Sequence, residues 1–224
     1  MEDFEYSNEQ VEEICNWTFS GLVMYYRDAQ LSNEVIAKYE VRKIIRSPFF
    51  VDVSPFAGKM ARNCRFAIAS SKAAPLYQIN SEKNSNDERW RLHTINANSY
   101  FKVLDIYQKY DRTQFFLLHI PANGFNFFIN NRIFVGGENM EDQIIKKSRM
   151  SFDKKMEMKI IPEFEEQEWV ERTFFPIGLD CNNNFFSLIP TEELSPQAVH
   201  LSNAIFALTN ETELNRVTIV KSEQ

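Results

Sequence analysis

Arginine and lysine are the side chains best suited to hold phosphate or carboxylate, and this chain gathers them in one stretch. Between residues 38 and 72 stand Lys38, Arg42, Lys43, Arg46, Lys59, Arg62, Arg65 and Lys72, against only Glu40 and Asp52. The local charge is +6 in a chain whose formal net charge is −6. A cation-rich segment in an acidic chain either binds an anion or neutralises acidic surface of its own. Lys59, Arg62, Arg65 and Lys72 fall on an expected loop and strand, where their side chains can converge. A guanidinium also offers phosphate or carboxylate two parallel hydrogen bonds. These four are the ligand-binding candidates. The rival reading pairs them with Glu163, Glu165, Glu166, Glu168 and Glu171, a run that contains no cation.

Groups able to move protons or attack a substrate are few. His119 stands near the end of an apolar stretch that stops at Pro121, and a strand end suits a general base. It is the catalytic candidate. Cys64 lies between Arg62 and Arg65, cations that would lower a thiol pKa, although a nucleophile there needs a histidine nearby. His93, His119 and His200 lack metal-ligand spacing, so no metal is expected, and nothing indicates a particular cofactor. Glu157-Met158-Lys159 matches a nuclease tripeptide that is common by chance. Asp180 to Asn184 resembles the start of a calcium loop, but Phe185 and Thr191 stand where Gly and Glu are required. Gly136-Gly137 has neither the lysine nor the spacing of a phosphate-binding loop.

The composition is that of a core-forming globular chain, with 44% hydrophobic residues and 20 Phe. No apolar run approaches the ~20 residues of a membrane span, so no membrane partner is expected. The acidic start, Met1 to Glu5, does not read as a secretory signal. Three scattered cysteines read as reduced thiols, and the expected location is cytoplasmic. The acidic total argues against broad nucleic-acid binding. The expected partner is a protein or a small anionic ligand.

Ser7 and Gln10 have capping-box spacing before Val11, Ile14 and Thr18, which predicts a first helix. A second helix is predicted from Ser32 to Arg46, carrying Lys38, Arg42 and Arg46 as a cationic stripe and completing an N-terminal helical hairpin. Strands are expected over 49–53, 65–70 and 90–95, a helix from Ser99, and then a three-stranded meander over 115–135. A helix is expected over 138–150, a strand over 156–160, and a hairpin around Cys181 to Asn184. Ser195-Pro196 opens a last helix, and Val217 to Val220 form a final strand. The fold class is α+β, a mostly antiparallel sheet covered by helices. It forms a single domain over residues 1–224, with the polar loop at 80–88 as the place where a subdivision would fall. The first functional expectation is a non-enzymatic interaction module with a local basic patch. The alternative is an enzyme acting on a phosphate- or carboxylate-bearing small substrate. An enzyme requires a concave pocket in which His119 or Cys64 approaches these cations, whereas a module presents a flat or apolar exposed patch.

Overall fold

The structure is a computed structural model that describes residues 6–79, 86–131, 133–135 and 138–210. Along the chain the elements are α1 (Asn8–Phe19), β1 (Val23–Ala29), α2 (Asn33–Ile36), β2 (Ile44–Ser47), β3 (Val51–Val53), β4 (Cys64–Ser70) and β5 (Ala74–Pro75). There follow α3 (Leu76–Ile79), α4 (Asn86–Arg89), β6 (His93–Ile95), β7 (Ser99–Lys109), β8 (Arg112–Ile120) and α5 (Phe125–Asn130). The last are β9 (Phe134–Val135), β10 (Glu138–Asn139), α6 (Met140–Met156), α7 (Gln167–Arg172) and α8 (Pro196–Thr209).

The main sheet has the order β1-β4-β8-β7-β2, with only β4 and β8 parallel. A second sheet, β3-β6-β5, meets its edge where Tyr26 of β1 and Ser54 exchange backbone hydrogen bonds of 2.7 and 3.0 Å. Because side chains alternate along a strand, the main sheet has two apolar faces. One carries Tyr25, Ile45, Phe66, Phe101 and Phe115 and is covered by Val51, Val53, Ile95, Ile177 and Leu179. The other carries Tyr26, Ile44, Ala67, Phe116 and Leu118 and is covered by Ile14 of α1, Phe127 and Phe128 of α5, and Ile144 and Ile145 of α6. The architecture is therefore α+β with a mostly antiparallel sheet, as the sequence predicts.

The helix ends form as their caps dictate. Ser7 and Gln10 complete a capping box on α1, and Ser195 accepts the Ala198 amide at the start of α8. Several predicted elements differ. The second arm of the helical hairpin is only the four-residue α2, and Ile44 to Ser47 form a strand. Arg42 has a φ of +76°, which a helix interior does not tolerate. The helix expected from Ser99 is the strand β7, the strand expected over 125–129 is α5, and the strand expected at Met156 is the end of α6. The final strand at Val217 to Val220, the pair Gly136-Gly137 and most of the 80–88 loop lie outside the described residues.

Candidate functional site

Within residues 173–188, Ile177, Leu179 and Phe185 pack on the first face of the main sheet and Leu188 on the second, and the segment is fixed by side chains that donate to backbone carbonyls. Tyr39 donates to Ile177 over 2.7 Å, Tyr100 to Leu188 over 2.6 Å and Arg46 to Ser187 over 2.5 Å. Gly178 makes the close approach possible. It has a φ of +83°, and a Cβ there would stand 3.1 Å from the Ile45 side chain. Between this segment and the stretch entering β3 lies a cavity of about 520 Å³. Its walls are mostly apolar and aromatic: Phe49, Phe50 and Val51 on one side, Phe175, Ile177 and Phe186 on the other. Phe49 and Phe186 meet edge to face at 5.7 Å. Arg27, Arg172, Asp180 and Cys181 are its ionisable groups.

Arg27 is the unusual one. It shares the inward side of β1 with Tyr25 and Ala29 and is only 5% exposed. Its Nη2 donates to the carbonyls of Thr173, at 2.8 Å, and Phe175. Its Nε is buried with no partner, and no described carboxylate forms an ion pair with it. Burial lowers its pKa to about 10, with Asp52 opposing the shift. A buried cation normally has a counter-ion, because removing an ion from water costs several kcal/mol. Arg172 of α7, half-exposed, already has one: Asp52 lies 2.9 Å away and Asp87 3.6 Å. Thr94 donates to the other oxygen of Asp52. Asp180 holds a tight turn by accepting the amides of Asn182 and Asn184, and Cys181 is exposed on that turn.

The residues singled out in the sequence lie elsewhere. Arg65 is 1% exposed on the opposite face and grips Asp28 with two bonds of 2.6 and 2.9 Å, while its Nη1 donates to the Gly58 carbonyl. Lys59 is exposed, Arg62 is half-buried, and the Lys59 amide donates to Lys159. Lys72 stands past the far end of β4 and donates to the Thr209 carbonyl. The five steps from Arg65 to Ser70 alone span about 17 Å. The glutamate run pairs with other groups, Glu166 with Arg89 and Glu168 with Asn86. His119 is close to Lys72 but is 3% exposed, stacked on Phe101 and bonded through Nδ1 to Ser70 Oγ at 2.9 Å. Burial first, then Lys72, pushes its pKa down to about 3, so it is neutral. Cys64 points to the face opposite Arg65, among Phe66 and Phe115, and burial pushes its thiol up to about 12. It is not activated by its sequence neighbours. Among the described residues no group of His, Cys, Asp and Glu could hold a metal ion, and no helix is long and apolar enough to cross a membrane.

Arg27 escaped the sequence reading, because Leu22, Tyr25 and Tyr26 just before it continue the helical spacing of the first helix, whereas Val23–Ala29 form β1. Its signal is a lone cation between Tyr25 and Ala29 at strand spacing, an inward position where a charge is rarely tolerated.

No protein-family model and no curated protein matches the sequence. Part of the fold is similar to solved structures of ADP-ribosyltransferases. Vis from Vibrio splendidus is 13% identical with a TM-score of 0.36, over 53% of this chain and 57% of that one. HopU1 of Pseudomonas syringae is 13% identical with a TM-score of 0.37, over 44% and 45%. Exoenzyme S from Pseudomonas aeruginosa, solved with human 14-3-3 protein beta and bound to carba-NAD, is 13% identical with a TM-score of 0.37, over 50% and 60%. This chain thus spans less than two thirds of each, and the overlap assigns no family. The expectation of a non-enzymatic interaction module is nonetheless corrected. The cations Arg27 and Arg172 line a concave cavity rather than a flat patch, which fits the alternative expectation better.

Proposed function

We propose that this chain is an enzyme acting on a small substrate that carries an anionic group and a planar ring. The observation that carries the reading is Arg27, a buried guanidinium with an unpartnered Nε on the wall of a Phe-lined cavity. A phosphate or carboxylate there would supply the missing counter-ion. The ring would lie among Phe49, Phe50 and Phe186, which offer aromatic contact. Arg172, already balanced by Asp52 and Asp87, would orient the substrate at the mouth rather than provide the main attraction. Asp180, fixed by two backbone amides, is the carboxylate on the cavity wall. The three free cysteines support a reducing, cytoplasmic location.

The test is consumption of substrate. The chain is incubated with a panel of ring-bearing anions, including NAD, nucleoside diphosphates and aromatic carboxylates, and products are followed by mass spectrometry. Turnover by the wild type that Arg27→Met abolishes, and Lys59→Ala leaves intact, is the expected result. Turnover that survives Arg27→Met would overturn the assignment.

A further inference from the structure

Of the three cysteines, only one is open to reagents. Cys64 is fully buried and its thiol is raised to about 12, and Cys15 is half-buried with its pKa raised by burial. Cys181 is exposed, and it also lines the Arg27 cavity. An exposed thiol alone says little. Here a second feature points to a ligand in the same space: Arg27, 5% exposed and without an ion pair among the described residues, lines the same cavity.

The turn that carries Cys181 is held firmly. The Asp180 amide donates to the Asn184 carbonyl at 2.9 Å, Leu179 and Phe185 bridge across its base, and Asn183 takes the left-handed conformation at φ +60°. Lys38 donates to the Asn183 carbonyl from the neighbouring loop. A group attached to Cys181 would therefore be presented at a fixed point, with Lys38 beside it and the cations Arg27 and Arg172 within the cavity.

We infer that Cys181 is a site of mixed-disulfide formation with anionic low-molecular-weight thiols of the glutathione class, and that the adduct occupies the Arg27 cavity. The step balances as thiol–disulfide exchange. The Cys181 thiolate attacks one sulfur of the oxidised disulfide, a new S–S bond forms to Cys181, the old S–S bond breaks, and the second thiol leaves with the electron pair and takes up a proton. The oxidised disulfide supplies the oxidising equivalents, and a dithiol reverses the step. The carboxylates of the adduct pair with the cavity cations, so the cavity selects anionic partners over neutral ones. The inference uses the same cavity as the proposed enzyme activity, but it depends on cation attraction alone and not on any turnover.

The experiment is intact-mass kinetics on the full chain with oxidised glutathione and, in parallel, the neutral disulfide of 2-mercaptoethanol, each normalised to its rate with a free cysteine peptide. The expected result is a single adduct, mapped to Cys181 and absent from Cys181→Ser. Oxidised glutathione should be favoured by about tenfold at low salt, the smaller end of the rate gain that a cationic cleft gives. High salt and Arg27→Met should each reduce that preference. Circular dichroism confirms that each variant is folded. An adduct mapped to Cys15, an equal normalised rate for the two disulfides, or a preference unchanged in Arg27→Met would each overturn the inference. A clear preference without any substrate turnover would sink the enzyme reading and leave this one standing.

Discussion

Arg27 and Arg65 sit on neighbouring strands, one residue out of register, and point to opposite faces of the same sheet. Both are almost fully buried. Arg65 has its own carboxylate in Asp28, gripped bidentately, and a carbonyl for its remaining arm. Arg27 has two carbonyls for one nitrogen, nothing for its Nε, and an open cavity beside it. Burial therefore does not separate a structural arginine from a binding one, but the counter-ion does. A cation paired inside the chain is part of the fold, and one left unpaired beside a cavity is what the proposed function assigns as a seat for an anion from outside.

The largest effect should come from breaking the paired side. Asp28→Ala strands Arg65 and removes the acceptor of the Ala61 amide, so urea unfolding should show a loss of about 3–5 kcal/mol. The apolar double replacement Asp28→Leu with Arg65→Met should recover most of it. A loss no larger than that of an exposed pair would collapse the distinction. Arg27→Met should cost less, about 1–3 kcal/mol, because it leaves only two carbonyls without a donor. A loss equal to that of Asp28→Ala would make Arg27 as structural as Arg65.

His119 sharpens the same contrast from a third position, since it is buried, neutral and bonded to Ser70. Its folded pKa of about 3 lies below the roughly 6.5 of an exposed imidazole. The unfolded chain therefore takes up a proton first as the solution is acidified. Its contribution is whole above the unfolded value and drains away as the pH falls toward the folded one. His119→Gln should flatten the stability profile over that window relative to wild type, read from urea midpoints at a series of pH values. An unchanged slope would mean that the imidazole is reached by solvent. The smallest effect should be that of Arg89→Ala, which breaks an exposed pair with Glu166 and should move stability by no more than about 1 kcal/mol.

What could be read from the sequence was the chemistry that acts over three or four residues. The caps at Ser7 and Ser195 placed α1 and α8, and the apolar spacing of Ile144 and Ile145 placed α6. The misread elements have patterns that fit two periods at once. β7 is covered on both faces, so Val103 and Leu104 are buried on opposite sides of the sheet, and Tyr100, Val103, Leu104 and Tyr107 fall at helical spacing within a strand. In α5 the alternation Phe125-Asn126-Phe127 imitates a strand, yet the segment continues a helical turn that starts after Pro121. The cavity was not legible, because its walls come from residues near 27, 50 and 180, which only the folded sheet brings together. The basic stretch was legible as a charge excess but not as a place. Strand alternation and the length of β4 send Arg65 inward to Asp28 and Lys72 to the opposite end.

The most direct test of the Arg27 seat is a calorimetric titration of pyrophosphate and of NAD into the wild type and Arg27→Met side by side at low salt. The account predicts saturable single-site binding of at least one of these anions to the wild type, and its loss in a folded Arg27→Met chain. Equal binding to both proteins, or binding of neither anion to the wild type, would contradict it.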